Sequence, residues 1–581
     1  VIPKRITHHP VIYILSLGVF AGAMASNGVI ALAHEQGYNF MLYYMGAVLL
    51  FMLGALLIMP LLRLTRVYQL TSLADVLTFR FRSPWVGTCI TLAMCITVLP
   101  LLVLQIQAVS DAIHILAGEP EALGASTDDH SQLALLFCVI ITVFSMLFGT
   151  RRESAQQRNT GLVTASAFES LVKLGAMLVL FLAAVYPVFG GFEAMESWLA
   201  SHPGGSAPAV EPIKGDSARA LLLVFFAGAV CMPHMFHMTF TENRDSSDLR
   251  SASWGLPLYL LLLSLPVLPL AWAGTKLGHG LPLDYTGLAI GLHLQSFTVS
   301  GAAFVAGLSA ASATIIASTL ALANMCLNHL VLPFRPLQIE RGSIYRQLRW
   351  LQRALIAVLI LAAYGLFVTL SGRQGLTQLA LVAFTGVLQF LPGVIATPYW
   401  PRANRAGLLV GLGAGLAVWA TSLLLPLFGS AQPAILSELY RSLWGTDEFL
   451  WSAATLVSVS LNTGLFIVVS LLRGTSEDEK VAAEVCSMDD IARPTRRTLT
   501  VYNAGDFAGR LAPALGEATA HAEVERALQE LQFSPQENRP YALRRLRARI
   551  EANLSGLLGP AVAYSIVEGC IPFQPGELGK T

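Results

Sequence analysis

At 581 residues the chain is long enough for several domains, but only 13% of it is charged, against roughly 25% in soluble globular proteins, and 54% is hydrophobic. A net charge of +1 gives no electrostatic basis for a nucleic-acid or polyanion partner. Five of the seven cysteines (Cys89, Cys95, Cys138, Cys231, Cys326) lie inside apolar runs and no CxxC occurs; a disulfide framework and a cysteine zinc site are excluded, and buried small residues remain.

A bilayer core takes about 20 apolar residues per helix. Twelve runs qualify, at 10–33, 38–62, 84–117, 131–150, 161–189, 218–240, 252–275, 299–331, 349–370, 375–394, 405–428 and 448–472. The third is long enough to require tilt or projection from the bilayer. Basic loops stay in the cytoplasm. With the N-terminus inside, the inner loops carry Lys4, Arg5, Arg63, Arg66, Arg80, Arg82, Arg151, Arg152, Arg158, Arg244, Arg250, Arg335, Arg341, Arg346, Arg349, Arg402 and Arg405. The outer loops carry only Lys214, Arg219, Lys276, Arg373 and Arg441, together with acidic Glu119, Glu121, Asp128 and Asp129. The sequence therefore predicts an inner-membrane, multi-pass protein with both visible ends in the cytoplasm.

Two runs carry helix breakers at membrane depth. The first has Gly22, Ser26, Asn27 and Gly28; the sixth has Gly228 and Pro233. They stand five helices apart, the spacing of two inverted halves, and a broken helix exposes backbone dipoles to a ligand. Substrate is expected between them, at Ser26, Asn27, Cys231 and His234, with Gln105, Gln107 and Asp111 from the third helix. Polar groups at this depth are costly and mark pathways. Glu169 and Lys173, four residues apart on the fifth helix, share a face and can pair directly. His237 follows on the sixth helix, and Ser309, Ser312, Thr314, Ser318 and Thr319 line the eighth. For the hydroxyls the bland alternative is a bond back to their own helix.

After the last run, residues 476–498 read as a charged linker. Helical patterns follow at 503–515, 517–532 and 539–570, with Asn503 and Asp506 as capping residues and Pro560 as a start or kink, so 499–575 is expected to form a small helical bundle. His521 lacks the neighbours of a phospho-accepting histidine and no ATP lid follows, so no kinase core is present; nor is there a P-loop, hydrolase elbow or metal-ligand spacing, and an enzyme is not expected.

The stretch YQLTSLADVLTFRF (68–81) resembles the corresponding loop of the solute:sodium symporter family. FGTRRESAQQRNTGLVTASAFESLVKL (148–174), MPHMFHMTFTEN (232–243) and GLSAASATIIASTLALANMCLNHLVLP (307–333) resemble one branch, the transporter-like input module of bacterial sensor histidine kinases of the CbrA type. The resemblance implies an all-α integral membrane protein of LeuT-type inverted-repeat fold over 1–475, with thirteen helices, one of them before Val1. It also implies that the tail is a STAC-like connector to two-component signalling. The family's second sodium site maps onto 309–314, where Thr314 keeps a hydroxyl but Ala313 stands where another is usual, so the site is degenerate. Lys173 is a further departure. An ammonium there supplies the charge of a missing cation and can exchange a proton, since burial disfavours the charged form.

The expectation is proton coupling through Glu169, Lys173, Ser312 and Thr314, with sodium as the alternative and no organic cofactor. The function expected is a transporter-sensor for a small organic solute, histidine favoured by Asp111, acting with a signalling kinase in cis or in trans and as a homodimer if kinase-linked. The alternatives are a non-signalling symporter for a short carboxylate such as acetate, or a pure receptor.

Overall fold

The computed structural model describes residues 9–118, 128–148, 159–202, 215–278, 280–334, 344–370, 374–430, 434–444, 451–487, 499–501 and 503–573. Of the loop charges that set the expected orientation, Lys4, Arg5, Glu119, Glu121, Arg151, Arg152, Arg158, Lys214, Arg335, Arg341 and Arg373 lie outside these residues, as do 488–498 of the expected linker. Regular structure among them is helical apart from one bridge pair, Leu499 with Phe573.

Helix α1 (Pro10–Ser16) begins on a proline that needs no hydrogen-bond partner, and a 3-10 turn at Leu17–Phe20 extends it. The chain opens at Ala21 and re-forms as a π turn (Met24–Gly28) leading into α2 (Val29–Gln36). The second run is interrupted too, as α3 (Met41–Met52) and α4 (Ile58–Tyr68). α5 (Leu73–Phe81) follows, capped by Ser72, whose hydroxyl accepts from the Asp75 amide at 3.1 Å. α6 (Pro84–Ala117) is one helix of 34 residues, α7 is Asp128–Phe148, and α8 (Thr160–Ala183) is capped by Asn159. α9 (Phe192–Ser201) links it to α10 (Gly215–Cys231), which stops before the single turn α11 (Pro233–Phe236).

The second half runs through α12 (Ser246–Ser264), α13 (Val267–Leu277) and α14 (Thr286–His293) to α15 (Phe297–Cys326), which a π turn (Leu327–Val331) prolongs. α16 (Ile344–Leu370), α17 (Leu376–Leu388), α18 (Leu391–Tyr399), α19 (Arg405–Trp419), α20 (Ala434–Trp444) and α21 (Trp451–Leu472) complete the apolar part. By length and composition eight helices can cross a membrane unbroken; two further pairs are bent, by 73° between α1 and the segment after Met24, and by 51° between α10 and α11. The described parts of the apolar runs are mainly helical, and both large bends fall where Gly22 and Pro233 signalled them. Outward faces stay apolar: Leu136, Val139, Ile140 and Val143 of α7 are more than half exposed, a surface suited to lipid rather than water.

Close packing rests on small residues. On α19, Gly407, Gly411 and Gly415 recur every four residues against α21, and a Cβ at Gly411 would lie 2.5 Å from the Asn462 carbonyl oxygen. No side chain larger than hydrogen fits there.

The tail differs from expectation at its start. Glu477–Cys486, read as linker, is helix α22, with a capping box between Ser476 and Glu479. The Glu479 carboxylate is buried and accepts from the Arg405 amide at 2.9 Å, which ties α22 to the membrane helices. Beyond it, α23 (Asp506–Leu515), α24 (Glu517–Leu531), α25 (Pro540–Leu558) and α26 (Pro560–Cys570) form the C-terminal bundle. Pro560 starts a new helix after Gly559, whose φ of 83° suits only glycine without strain. Asn503 caps no helix; its side chain accepts from the Gly505 amide, and Gly505 takes the cap position. The bundle's apolar core, around Phe507, Leu511, Leu546 and Ile550, continues into Leu327, Leu332 and Leu348 of the membrane helices. The bundle is thus seated on the end of α15 and the start of α16. Arg80 and Arg82 meet the tail at this same end, through the Glu479 carbonyl and the Glu551 carboxylate.

Candidate functional site

A helix that stops mid-membrane leaves carbonyls and amides without partners, and each must be satisfied in the absence of water. Around the α1–α2 break, side chains from five other helices do this. The Lys173 ammonium donates to the Gly18 carbonyl at 3.0 Å and to the Ala21 carbonyl. The Thr314 hydroxyl donates to Val19 O (3.3 Å) and to Ala310 O on its own helix (3.0 Å). Tyr43 donates to Phe20 O at 3.0 Å, and Thr377 to Gly28 O at 2.8 Å. The freed amide of Ala23 donates to Gln105 Oε1 at 3.0 Å.

Glycine makes this density possible. A Cβ on Gly18 would sit 2.5 Å from Ser170 Oγ, and one on Gly22 would sit 2.7 Å from Thr314 Oγ1. Lys173 is 1% exposed, and its charge is met by carbonyl dipoles at the C-terminal end of α1, where the helix dipole is negative.

Glu169 and Lys173 face the same region but do not hydrogen-bond to each other directly. Lys173 turns to the broken helix, while Glu169 Oε1 accepts from Ser312 Oγ at 3.0 Å and its backbone carbonyl from Ser309 Oγ at 2.7 Å. One helix face holds both residues, but the unpartnered carbonyls are the stronger attraction for an ammonium that is far more buried than Glu169. Ala313 is buried beside Thr314 and offers no ligand atom.

At the second break, His234 Nδ1 and Ser318 Oγ are 2.9 Å apart, joining α11 to α15, and Cys231 is fully buried at the end of α10. His237 lies 3.2 Å from Glu242, whose other oxygen accepts from the Asn159 amide at 2.9 Å, so the π turn after α11 is pinned to the start of α8.

Ser26 and Asn27 lie in the π turn at the first break, whereas Gln107 and Asp111 do not reach it. Ser26 bonds back to Ala23 O at 3.4 Å, and Asn27 faces Gly307 of α15. Gln107 and Asp111 lie further along α6: Gln107 donates to Gln374 O at 2.9 Å, and Asp111 accepts from the Tyr285 hydroxyl at 2.5 Å. Both brace loops at the end away from the bundle. Sequence reading missed Tyr43 and Thr377, which carried no signal beyond their hydroxyls in an apolar run. The structure brings together Gln105, Lys173 and Thr314 at the first break and His234 and Ser318 at the second, with α15 common to both.

No family model matches the chain. It is 21% identical over 434 residues to the uncharacterized symporter YodF of Bacillus subtilis (strain 168), covering 72% of this chain and 78% of that protein. Among solved structures it resembles a Na+-coupled sialic acid symporter in a substrate-bound outward-open state, with TM-score 0.58, 12% identity, and cover of 80% of this chain and 91% of that one. This is a multi-pass membrane protein with a transporter fold. An inward-facing Mhp1 structure aligns over 82% of this chain and 95% of that one, at 12% identity and a TM-score of 0.41.

Proposed function

We propose that the chain is an ion-coupled symporter for a small organic solute, and that its C-terminal bundle reports solute occupancy. The observation that carries the coupling is the Lys173 ammonium held on the Gly18 and Ala21 carbonyls. Those carbonyls would otherwise attract a cation, and a covalently attached ammonium takes the place of a soluble one. Proton transfer at Lys173 is then the coupling step: the neutral amine holds the two carbonyls more weakly than the charged ammonium, which loosens α1 from α8. Thr314 holds Val19 O, and Ser312 holds the Glu169 carboxyl at the edge of the same region.

The solute route lies between the breaks. A carboxylate entering there displaces Gln105 Oε1 from the Ala23 amide, at the positive start of the Met24–Gln36 segment. An amino acid such as histidine fits this reading, and acetate is its closest competitor. YodF is a named symporter and the sialic acid protein is Na+-coupled, which supports symport and makes sodium the competing ion.

The sensing part rests on the seat of the bundle. Leu327 and Leu332 lie in its apolar core, at the end of the helix that carries Thr314 and Ser318. A ligand that binds two states of α15 unequally shifts the surface on which the bundle sits. In this reading the bundle is a STAC-like connector at the cytoplasmic face of a bacterial inner membrane, acting on a kinase in cis or in trans. Uptake of labelled histidine and labelled acetate into proteoliposomes tests the proposal: saturable, gradient-driven histidine uptake is expected, and binding without accumulation of either solute leaves a receptor instead.

A further inference from the structure

A second space opens at the end of the membrane domain away from the bundle, a cavity of about 450 Å3. Its walls come from the end of α2, the short turn Leu283–Tyr285, the start of α17, the last turn of the α19 span and the start of α21. Leu381, Leu423 and Pro426 make part of it apolar, and two carboxyls, Glu35 and Asp284, make part of it acidic. No lysine, arginine or histidine is among the described residues that line it.

Three polar atoms facing this space are buried and have no hydrogen-bond partner among the described residues: Asp284 Oδ1, Gln36 Oε1 and Trp451 Nε1. Asp284 is 8% exposed, and its other oxygen receives a long bond from the Leu376 amide, at 3.4 Å, with the Thr377 hydroxyl close by. A buried carboxylate oxygen left unmatched costs more than a hydrogen bond returns, so such atoms call for a partner. Two of the three unpartnered atoms, Gln36 Oε1 and Asp284 Oδ1, are acceptors, and the Glu35 carboxylate adds another. The partner must therefore be a donor, and two acids ask that it be positive.

We propose that this cavity binds a small organic cation, an ammonium or guanidinium compound whose apolar part lies on Leu381, Leu423 and Pro426. The described residues hold no group of three or more His, Cys, Asp or Glu side chains that could seat a metal ion, and the volume suits an organic molecule. The site is distinct from the helix breaks and does not depend on the solute or coupling ion proposed above. It does touch them: Thr377 lines the cavity and caps the Gly28 carbonyl, so an occupant bears on the second half of the broken helix.

Asp284 also makes the site pH-dependent. Burial pushes its carboxyl up to about 7; the neighbouring Glu35 and Asp111 carboxyls add to the rise, and hydrogen bonds from Leu376 and Thr377 oppose it. Its phenolic neighbour Tyr285 stays neutral throughout this range. Below pH 7 Asp284 is mostly neutral and above it anionic, so a cation gains affinity as pH rises.

Calorimetric titration of the full chain in nanodiscs with n-butylammonium, butyrate and n-butanol tests this. Saturable binding of n-butylammonium alone is expected, about tenfold weaker in Asp284→Asn and in Glu35→Gln, as the loss of one charge-assisted hydrogen bond predicts. It should tighten severalfold from pH 6 to 8. Glu35 is exposed, so Glu35→Gln folds even if Asp284→Asn does not. Arg373 lies outside the described residues. If n-butylammonium binds only to Arg373→Ala and not to the native chain, the acids are satisfied internally and the proposal fails. It fails equally if butyrate or butanol binds as well as the amine, or if both acid variants bind like the native chain.

Discussion

Gly22→Ala is the smallest change that probes the first helix break. The added methyl would lie 2.7 Å from Thr314 Oγ1 and 3.3 Å from both ends of the Gln105 amide. Thr314 must rotate away, which abandons its bond to Val19 O at 3.3 Å and leaves a buried carbonyl unmatched. Overpacking of this kind costs about 1–3 kcal/mol, and an orphaned buried acceptor costs about 1–3 kcal/mol, so a destabilisation of about 2–6 kcal/mol is expected. Thr314→Ala alone orphans the same carbonyl without the clash. The double variant removes the clash and counts the carbonyl once, so its effect should fall short of the sum by the clash and one carbonyl, about 2–3 kcal/mol or more, at the upper end of the range for directly contacting residues. Thermal unfolding of the four proteins in one detergent gives the cycle, provided each unfolds reversibly. Additive effects, or a neutral Gly22→Ala, would refute the geometry assigned to the break.

Three further outcomes follow from other contacts. Gly411→Leu should destabilise by about 1–3 kcal/mol or more through the Asn462 carbonyl, whereas Gly413→Leu, with open space around it on the same helix, should change the melting temperature little. Asp75 is fully buried; burial alone would raise its carboxyl, but hydrogen bonds from His329 (2.8 Å) and Thr71 (2.9 and 2.8 Å) outweigh that and hold it below the usual range. A depressed carboxyl contributes stability above its unfolded pKa of about 3.9 and loses it as pH falls through the lower folded value; Asp75→Asn should thus be clearly less stable at pH 7, with the gap narrowing below about pH 4 in pH-dependent melts. Arg82→Ala removes a 4.0 Å ion pair with Glu551 and a guanidinium stacked 5.2 Å from the Tyr564 ring centre. These contacts are part-exposed and worth about 1 kcal/mol together, and hydrogen exchange should rise in Leu327–Val331 and in α26 while the membrane helices keep their protection.

Much of the architecture is legible in the sequence because membrane helices announce themselves by length and apolarity. Gly22 and Pro233 mark both large bends, since few residues suit a broken helix. What fails is partner choice. Glu169 and Lys173 share a face by spacing alone, but spacing carries no knowledge of the Gly18 and Ala21 carbonyls that compete for the ammonium. Gln107 and Asp111 look like pathway residues, yet their partners, Gln374 and Tyr285, come from loops hundreds of positions away. The charge of α22 resembles that of a linker, although Ser476 and Glu479 form a capping box that marks a helix start. Asp284 carries no sequence signal, because a loop aspartate is ordinarily solvated and only the fold buries this one.

The central claim is that Lys173 stands in for a coupling cation. Proteoliposomes loaded to impose either a proton gradient or a sodium gradient, with labelled histidine outside, test it in native protein and in Lys173→Met. The account predicts uptake driven by the proton gradient without sodium, and loss of that drive in Lys173→Met while histidine exchange without a gradient persists. Uptake that requires a sodium gradient and survives Lys173→Met would contradict it.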